Sequence, residues 1–395
     1  MLQETDQEDS SHVAAPQGDD VLNVKIADAL NEQNKVKFYV HTTTTLPRFQ
    51  KKDIQVVREH AEFVWLHDRF VESPTYAGLL IPPCPPKPDF QQSQQKLAKL
   101  QAHDSNMTPE EVEKLKQEIQ SEYLAAFQKT VAMHEVFLKR LVSHPKFRDD
   151  HTLQVFLEYE QDLDCKLKST REKALDFLRS KAKTFDSSFS SFKDADEFFD
   201  DQRSFITRYL LAIKEARSKA AQKTEKRMQL SVSFNRAGTE LVHYGNLYDT
   251  DHPVGELIRL VGNVLRKCQT IEKRLATKED LKLTDLLRYY EADANAAKDL
   301  MVRRIKCLQD KERADKALVK AQQTQKKVDE CQQAATEAEE RSISITDTAR
   351  DELGAFQRRR VAAFRKGIMQ YTQYQIRQAR EKQHVWRQVI DALEQ

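Results

Sequence analysis

Cysteine and histidine, the residue types that most often act as nucleophiles, acid–base groups or metal ligands, form no usable pattern in this chain. The five cysteines are far apart and include no Cys-x-x-Cys pair. The eleven histidines are scattered, and signatures of a nucleotide-binding loop, a nucleophile elbow or a zinc protease are missing. We therefore expect a protein of the reducing cytosol that is not an enzyme, needs no metal or cofactor, and acts by binding.

The basic side chains suggest electrostatic binding to an anionic surface. The formal net charge is only +2, so the total gives no general attraction to nucleic acid, and we expect no nucleic-acid partner. Lysine and arginine are nevertheless concentrated in residues 303–327 and 358–382. The cations that we expect to face an anionic membrane are Arg303, Arg304, Lys306, Arg358, Arg359 and Arg360. The alternative is that both runs are ordinary solvated helix faces.

A second membrane candidate is the segment Arg171–Phe192, whose apolar residues step by three and four with basic residues on the other faces. Such a helix can lie in the headgroup layer of an anionic membrane. The side chains expected to insert are Leu175, Leu178, Phe185 and Phe189. The alternative is that this stripe packs on the other helices of the protein.

A third candidate site is a stripe that repeats every four residues, which places its members on one face of one helix. The stripe consists of Tyr123, Phe127, Val131 and Glu135. By pattern alone it packs on the partner helix of a helical hairpin that we expect over residues 92–141. The alternative is that it lines a groove for a ligand.

The distribution of proline divides the chain into two regions. Ten of the eleven prolines lie between Pro16 and Pro145, and only Pro253 follows. Turns between strands usually contain proline or glycine, and the second region has few of them. We therefore expect it to form long helices with heptad stripes, at about 194–243, 254–327 and 333–393. The first region is expected to have strands Leu22–Ile26, Lys35–Thr44 and Asp53–Arg58 before its helices. The alternative for the second region is an elongated coiled-coil rod with a purely structural role.

Two other features complete the outline of the chain. Residues 1–20 form an acidic stretch that we expect to be disordered. No apolar run approaches the roughly 18 residues that a membrane-spanning helix needs.

The order of these elements resembles the phox-homology (PX) domain. Val57–Leu66 is similar to the stretch that ends the family's sheet and opens its first helix, Ile81–Pro88 to its proline-rich loop, and Phe137–Pro145 to its final helices. A PX domain followed by three long helices resembles the sorting nexins that carry a BAR domain. The resemblance implies an α+β PX domain over 21–160, with a three-stranded sheet and an inserted helical hairpin at about 89–135. It further implies a linker with an amphipathic helix over 165–193 and an all-α BAR domain over 194–395.

The resemblance also implies a pocket for 3-phosphoinositides, and this chain departs from its pattern. Lipid-binding members have two arginines and an aromatic residue where Arg58, Glu59 and His60 stand here. Glu59 places a carboxylate where the phosphate would sit, which should repel it. Lys87, at the position of a phosphate-facing lysine, remains. We therefore expect an altered pocket that does not bind phosphatidylinositol 3-phosphate in the usual way.

The insertion resembles that of the subgroup of sorting nexins 5, 6 and 32, and this implies partners. In the subgroup, the positions of Tyr123, Phe127, Val131 and Glu135 line a groove in which the tail of a cargo receptor adds a strand beside Leu22–Ile26. The resemblance further implies a heterodimer with a sorting nexin of the 1 and 2 type, an anionic and phosphoinositide-containing membrane, and the cytoplasmic face of early endosomes. The alternative is a soluble scaffold or a dynactin adaptor.

Overall fold

The computed structural model describes residues 21–32, 35–88, 109–161, 192–250 and 252–394, together with the single positions 90, 95, 98, 163 and 189. Packing divides the chain into two units. The sheet unit comprises residues up to Arg69 and Cys84–Lys168, and the helical unit comprises Phe70–Pro83 and Ser169–Gln395. The expected disordered tail 1–20 lies outside the described residues.

An antiparallel sheet in the order β1-β2-β3 organises the sheet unit. Its strands are β1 (Leu22–Glu32), β2 (Lys35–Thr44) and β3 (Asp53–Glu59). Alternate residues of β2 are buried, as expected for a sheet that has one face on the core. β1 continues beyond the predicted end at Ile26 because a bulge between Ile26 and Asp28 lets pairing with β2 resume.

Four helices complete the sheet unit: α1 (His60–Glu72), α2 (Pro109–Ser143), α3 (Pro145–Arg148) and α4 (His151–Glu158). A 3-10 turn, Pro74–Tyr76, follows α1. The Asp150 side chain caps α4 by accepting from the amides of Thr152 and Leu153. The first arm of the predicted hairpin, residues 92–108, lies almost wholly outside the described residues.

The helical unit contains α5 (Glu197–Gly245), α6 (Pro253–Glu279), α7 (Asp285–Thr324) and α8 (Val328–Leu393). A π-helical turn, Asp280–Thr284, connects α6 to α7 without a break in the helical backbone, so the single helix predicted over 254–327 is present with a π turn inside it. The break expected near 325–342 is only three residues long. Gln325 and Lys327 adopt left-handed backbone conformations there, and α8 starts directly afterwards because buried alanines such as Ala335 and Ala338 continue the apolar seam.

Helices α5 and α6 approach closely because glycines face each other across their contact. A Cβ atom on Gly238 would lie 2.7 Å from the carbonyl oxygen of Gly262, and one on Gly262 would lie 2.8 Å from that of Gly238. The glycines at this end of the two helices therefore set the helix separation as well as flanking the break between them.

A layer of buried charge joins α5, α6 and α8. Glu279 is 1% exposed and accepts hydrogen bonds from Lys223 (2.7 Å) and Arg227 (3.0 Å). Glu272 is 2% exposed and accepts from Lys382 at 2.7 Å and from Arg227. These contacts satisfy both buried carboxylates from two neighbouring helices.

Candidate functional site

The edge of the sheet at β1 is the first candidate site. β1 pairs only with β2 among the described strands, so within that part of the chain its other edge has no strand partner. Helix α2 packs beside it, and Glu135 Oε2 accepts a hydrogen bond from the Ile26 amide at 3.0 Å. Glu135 also pairs with Lys139 one turn on. The predicted acidic residue of the groove is therefore fixed at the strand edge.

Aromatic side chains on α2 continue this site. The half-buried rings of Tyr123 and Phe127 are stacked, with centroids 6.1 Å apart. Phe90 lies against both, with centroid distances of 5.1 Å to Tyr123 and 6.1 Å to Phe127. Val131 is half-buried on the same helix. Phe90 was not among the predicted site residues, and its only sequence signal is an aromatic residue directly after the proline run.

Arg58, predicted to belong to the altered lipid pocket, is turned into the core of the sheet unit. Its side chain is fully buried. The guanidinium donates to the carbonyls of Phe156 (2.9 Å), Val57 (2.9 Å) and Gln161 (3.2 Å), and to that of Tyr159. Arg58 thus holds the end of α4 and the residues after it, where helix carbonyls need donors.

Glu59 and His60 are directed to partners within the sheet unit. The Glu59 carboxylate accepts from Lys35 Nζ at 3.2 Å. His60 Nδ1 lies 3.0 Å from Nε2 of the buried His134, whose Nδ1 is 2.7 Å from the Thr130 carbonyl. Burial lowers the pKa of His134 to about 3, so its ring is neutral, donates to Thr130 and accepts from His60.

Lys87 is exposed, on the loop where the lipid-binding family has its lysine. Of the residues predicted for the altered pocket, Glu59 is thus paired with Lys35 and His60 with His134.

The predicted membrane-inserting helix gives one described position. Leu175, Leu178 and Phe185 lie outside the described residues. Phe189 is 2% exposed and belongs to the apolar core of the helical unit, with Lys298 Nζ 5.5 Å from its ring centroid. Its prediction as a membrane-inserting side chain is wrong because the long helices cover it.

Three of the six arginines and lysines predicted to face a membrane are engaged inside the helical unit. Arg304 is 3% exposed and pairs with Asp194. Arg303 donates to the carbonyls of Ala77 and Leu79, and burial lowers its pKa to about 10, which leaves it protonated at neutral pH. Arg360 lies over the rings of Phe205 and Tyr209, 4.6 and 4.5 Å from their centroids. The membrane-facing prediction is therefore wrong for Arg303 and Arg304, and Arg360 covers aromatic rings.

The other three cations differ in exposure. Arg359 is half-buried, with Nη2 4.0 Å from Asp293 Oδ2. Lys306 and Arg358 are exposed. Of the six cations predicted to face a membrane, these two alone are exposed.

Apolar side chains are exposed along one side of α8. Met369, Ile376 and Ile390 are each about half exposed, at 50%, 49% and 52%. They are separated by seven and fourteen residues, which places them on one stripe of the helix. This outer stripe is separate from the residues Phe356 and Val385 that α8 buries within its own unit.

The described part of the chain contains neither a membrane-spanning helix nor a metal-binding cluster. No helix there combines the length and apolar character needed to cross a membrane. Within the same residues, no three His, Cys, Asp or Glu side chains come together as a metal site requires.

Comparison with known proteins defines the class of this fold. The family model for the PX domain matches residues 46–160, and the model described as Vps5 C terminal like matches residues 175–335. The solved structure of the SNX-BAR Mvp1 tetramer superposes with a TM-score of 0.53 at 16% identity, covering 94% of this chain and 100% of that chain. The predicted fold class, a PX domain followed by a helical BAR-like region, is confirmed.

Sequence relatives then give the family. Human sorting nexin-6 is 43% identical over 365 residues, which are 92% of this chain and 89% of the relative. Human sorting nexin-32 is 42% identical over 388 residues, with 95% and 94% covered, and human sorting nexin-2 is 24% identical over 367 residues, with 88% and 66% covered. The chain belongs to the sorting nexins that join a PX domain to a BAR-like region, which confirms the resemblance read from its motifs. Such sorting nexins are peripheral membrane proteins of endosomes and the cytoplasm that act in trafficking.

Proposed function

We propose that this chain is a subunit of an endosomal membrane coat that binds the cytoplasmic tails of cargo receptors through its PX insertion. Its BAR-like unit senses or induces membrane curvature as half of a dimer, in endosome-to-Golgi or recycling transport from early endosomes. The observation that carries the cargo part is the open edge of β1 with Glu135 and the aromatic pair of α2 beside it.

The groove suits an extended peptide for two physical reasons. An open strand edge offers amides and carbonyls at regular spacing, so a peptide in the extended conformation gains main-chain hydrogen bonds. The rings of Tyr123 and Phe127 offer an apolar, polarisable surface to one or two of its side chains. Because Glu135 already accepts from the Ile26 amide, the ladder of an added strand is interrupted at that residue.

The test of the groove is Phe127→Asp in the full-length chain, with capture of synthetic receptor tails that contain an extended apolar and aromatic segment. A buried charge among the rings should lower the affinity about tenfold or more. Leu124→Asp is the matched control, because Leu124 is 49% exposed on the same helix. Equal capture by wild type and Phe127→Asp would contradict the proposal.

The outer stripe of α8 supports a dimeric coat subunit. Exposed apolar side chains at heptad spacing are typical of a helix that packs on a second chain. We take the partner to be a PX-BAR sorting nexin of the 1 and 2 type, which would supply the phosphoinositide pocket that this chain has altered. Met369→Glu with Ile376→Glu should abolish the heterodimer in light scattering coupled to gel filtration. A wild-type chain that stays a homodimer when mixed with that partner would contradict the heterodimer.

A scaffold or dynactin adaptor is the second candidate function. It is favoured by the internal engagement of Arg303, Arg304 and Arg360, which leaves less positive charge for lipid. Membrane binding by the coat subunit would instead use exposed cations such as Lys306 and Arg358. Anionic vesicles distinguish these candidates, because only the coat subunit should bind them in a salt-sensitive way.

A further inference from the structure

Two connecting segments outside the long helices are packed as parts of the helical unit. The first connection is Phe70–Pro83, which clusters with the long helices by its contacts. The second connection comprises the described residues just before α5, namely 189 and 192–196. Neighbouring arginines of α7 contact one connection each.

Arg303 holds the first connection by its main chain. Its Nε donates to the Ala77 carbonyl at 2.9 Å and its Nη2 to the Leu79 carbonyl at 2.7 Å. From α8, Glu352 Oε2 accepts from the Leu80 amide at 3.3 Å. The Leu80 side chain is 2% exposed and packs in the same apolar core as Leu353 and Phe356.

The fit of this connection to α8 is close. A Cβ atom on Gly78 would lie 3.0 Å from the Thr348 Cβ atom, so only glycine brings the chain to this distance without a shift. A guanidinium reaches two carbonyls at once because its donors form a rigid fork, which a lysine lacks.

Arg304 holds the second connection by its side chains. Its guanidinium pairs with Asp194, and its Nε donates to Thr346 Oγ1 at 3.1 Å. The guanidinium also lies 3.6 Å from the ring centroid of Phe199. From α8, Arg350 contacts Asp196 at 2.5 Å.

We propose that Arg303 and Arg304 form a double anchor, at adjacent residues of α7, that fixes two non-helical segments of the helical unit, one around Ala77–Leu80 and one around Asp194. The two anchors are chemically independent, because Arg303 binds carbonyls of one connection and Arg304 a carboxylate of the other. Loss of either arginine therefore releases its own connection and leaves the other in place.

Hydrogen–deuterium exchange of the full-length chain, read by mass spectrometry, tests the anchor. Arg303→Met should speed exchange in peptides that cover 76–83 about tenfold or more, with little change in 192–198. Arg304→Met should do the reverse. Arg313→Met is the matched control, because Arg313 is a 75% exposed arginine of the same helix, and it should change neither region.

Milder variants keep the test decisive if a methionine variant does not fold. Asp194→Asn removes the carboxylate of the second connection and should speed exchange only in 192–198. Arg303→Lys retains one donor at most and should give an intermediate rate in 76–83. Exchange unchanged in both regions, or raised equally in both by either single variant, would overturn the double anchor.

Discussion

The sheet unit and the helical unit accommodate buried polar groups in different ways. In the sheet unit, Arg58 donates to main-chain carbonyls, and His134 is neutral and hydrogen-bonded to Thr130 and His60. In the helical unit, the buried carboxylates Glu272 and Glu279 are each matched by cations from neighbouring helices. At these residues the sheet unit uses main-chain acceptors and a neutral imidazole, whereas the helical unit uses ion pairs, so substitution and acid should affect them differently.

The same contrast holds for binding. In the sheet unit, β1 has no second partner among the described strands and Tyr123 and Phe127 stack on α2, while Glu59 and His60 are engaged by partners within the unit. The helical unit uses two of its most prominent arginines to hold its own chain. Under the proposed function, sites with similar sequence signals would bind a ligand in one region and hold the structure together in the other.

The largest expected effect is that of Arg58→Met. It leaves several carbonyls without their donor and removes the cation that lies 3.7 Å from the 5%-exposed carboxylate of Glu62, which should lower the free energy of unfolding of the sheet unit by about 3–5 kcal/mol. Trp65 reports on this unit and Trp386 on the helical unit, so urea unfolding in a Trp386→Phe background isolates the signal. The neighbouring Glu59→Ala removes only a surface pair and should cost at most about 1 kcal/mol. Equal losses for the two variants would show that Arg58 is not structural.

Acid should destabilise the sheet unit before the helical unit. Burial lowers the pKa of His134 to about 3 in the folded chain. Because the unfolded chain binds this proton near pH 6.5, stability is lost as the pH falls below that value, by about 2 kcal/mol at pH 5. For Glu272, burial alone would raise the pKa, but hydrogen bonds from Lys382 and Arg227 outweigh it and hold the pKa below its ordinary 4.5. Its contribution is therefore present at pH 5 and is lost only as the pH falls further below about 4.5.

The measurement for this contrast is urea unfolding at several pH values, with Trp65 or Trp386 as the single reporter. His134→Gln, which retains a donor and an acceptor, should flatten the profile of the sheet unit between pH 7 and 5. Earlier loss of the helical unit, or an unchanged profile in His134→Gln, would contradict the assignment.

A smaller effect is expected at the glycine contact of α5 and α6. Gly238→Ala forces a methyl group against the Gly262 carbonyl oxygen and should lower stability by about 1–2 kcal/mol. Gly354→Ala is the control, since the nearest atom to its added Cβ is 3.6 Å away and alanine favours the helix. Circular-dichroism melting that shows the two variants shifted in the same direction would mean that the close approach is not required.

Spacing proved a better guide to this molecule than charge density. The four-residue repeat from Tyr123 to Glu135 defines one helix face, and the structure stacks two of its rings and sets its carboxylate on β1. A high density of lysine and arginine along a helix does not show which of them face outward. The orientation of Arg303 and Arg304 depends on which segments pack on α7, and those segments are 110 or more residues away in sequence. The same long-range packing buried Phe189 and Arg58, which no local pattern could predict.

The sequence predicted helix or strand correctly where proline and glycine mark the ends of a segment, and it predicted the exact ends of the elements less well. The scarcity of proline and the heptad spacing predicted the long helices. The start of α8 was not predicted, because its buried residues are alanines that lie between many glutamines and glutamates. The bulge after Ile26 hid the second half of β1, since it interrupts the alternation on which strand prediction depends.

The central claim is that the PX unit has exchanged a lipid pocket for a protein-binding groove, so that lipid is bound through the BAR-like unit. Co-sedimentation of the purified full-length chain with anionic vesicles, with and without phosphatidylinositol 3-phosphate and at low and 0.5 M salt, tests it most directly. We predict binding that falls steeply with salt and does not change with the phosphoinositide. Binding that requires the phosphoinositide and survives high salt would contradict the account.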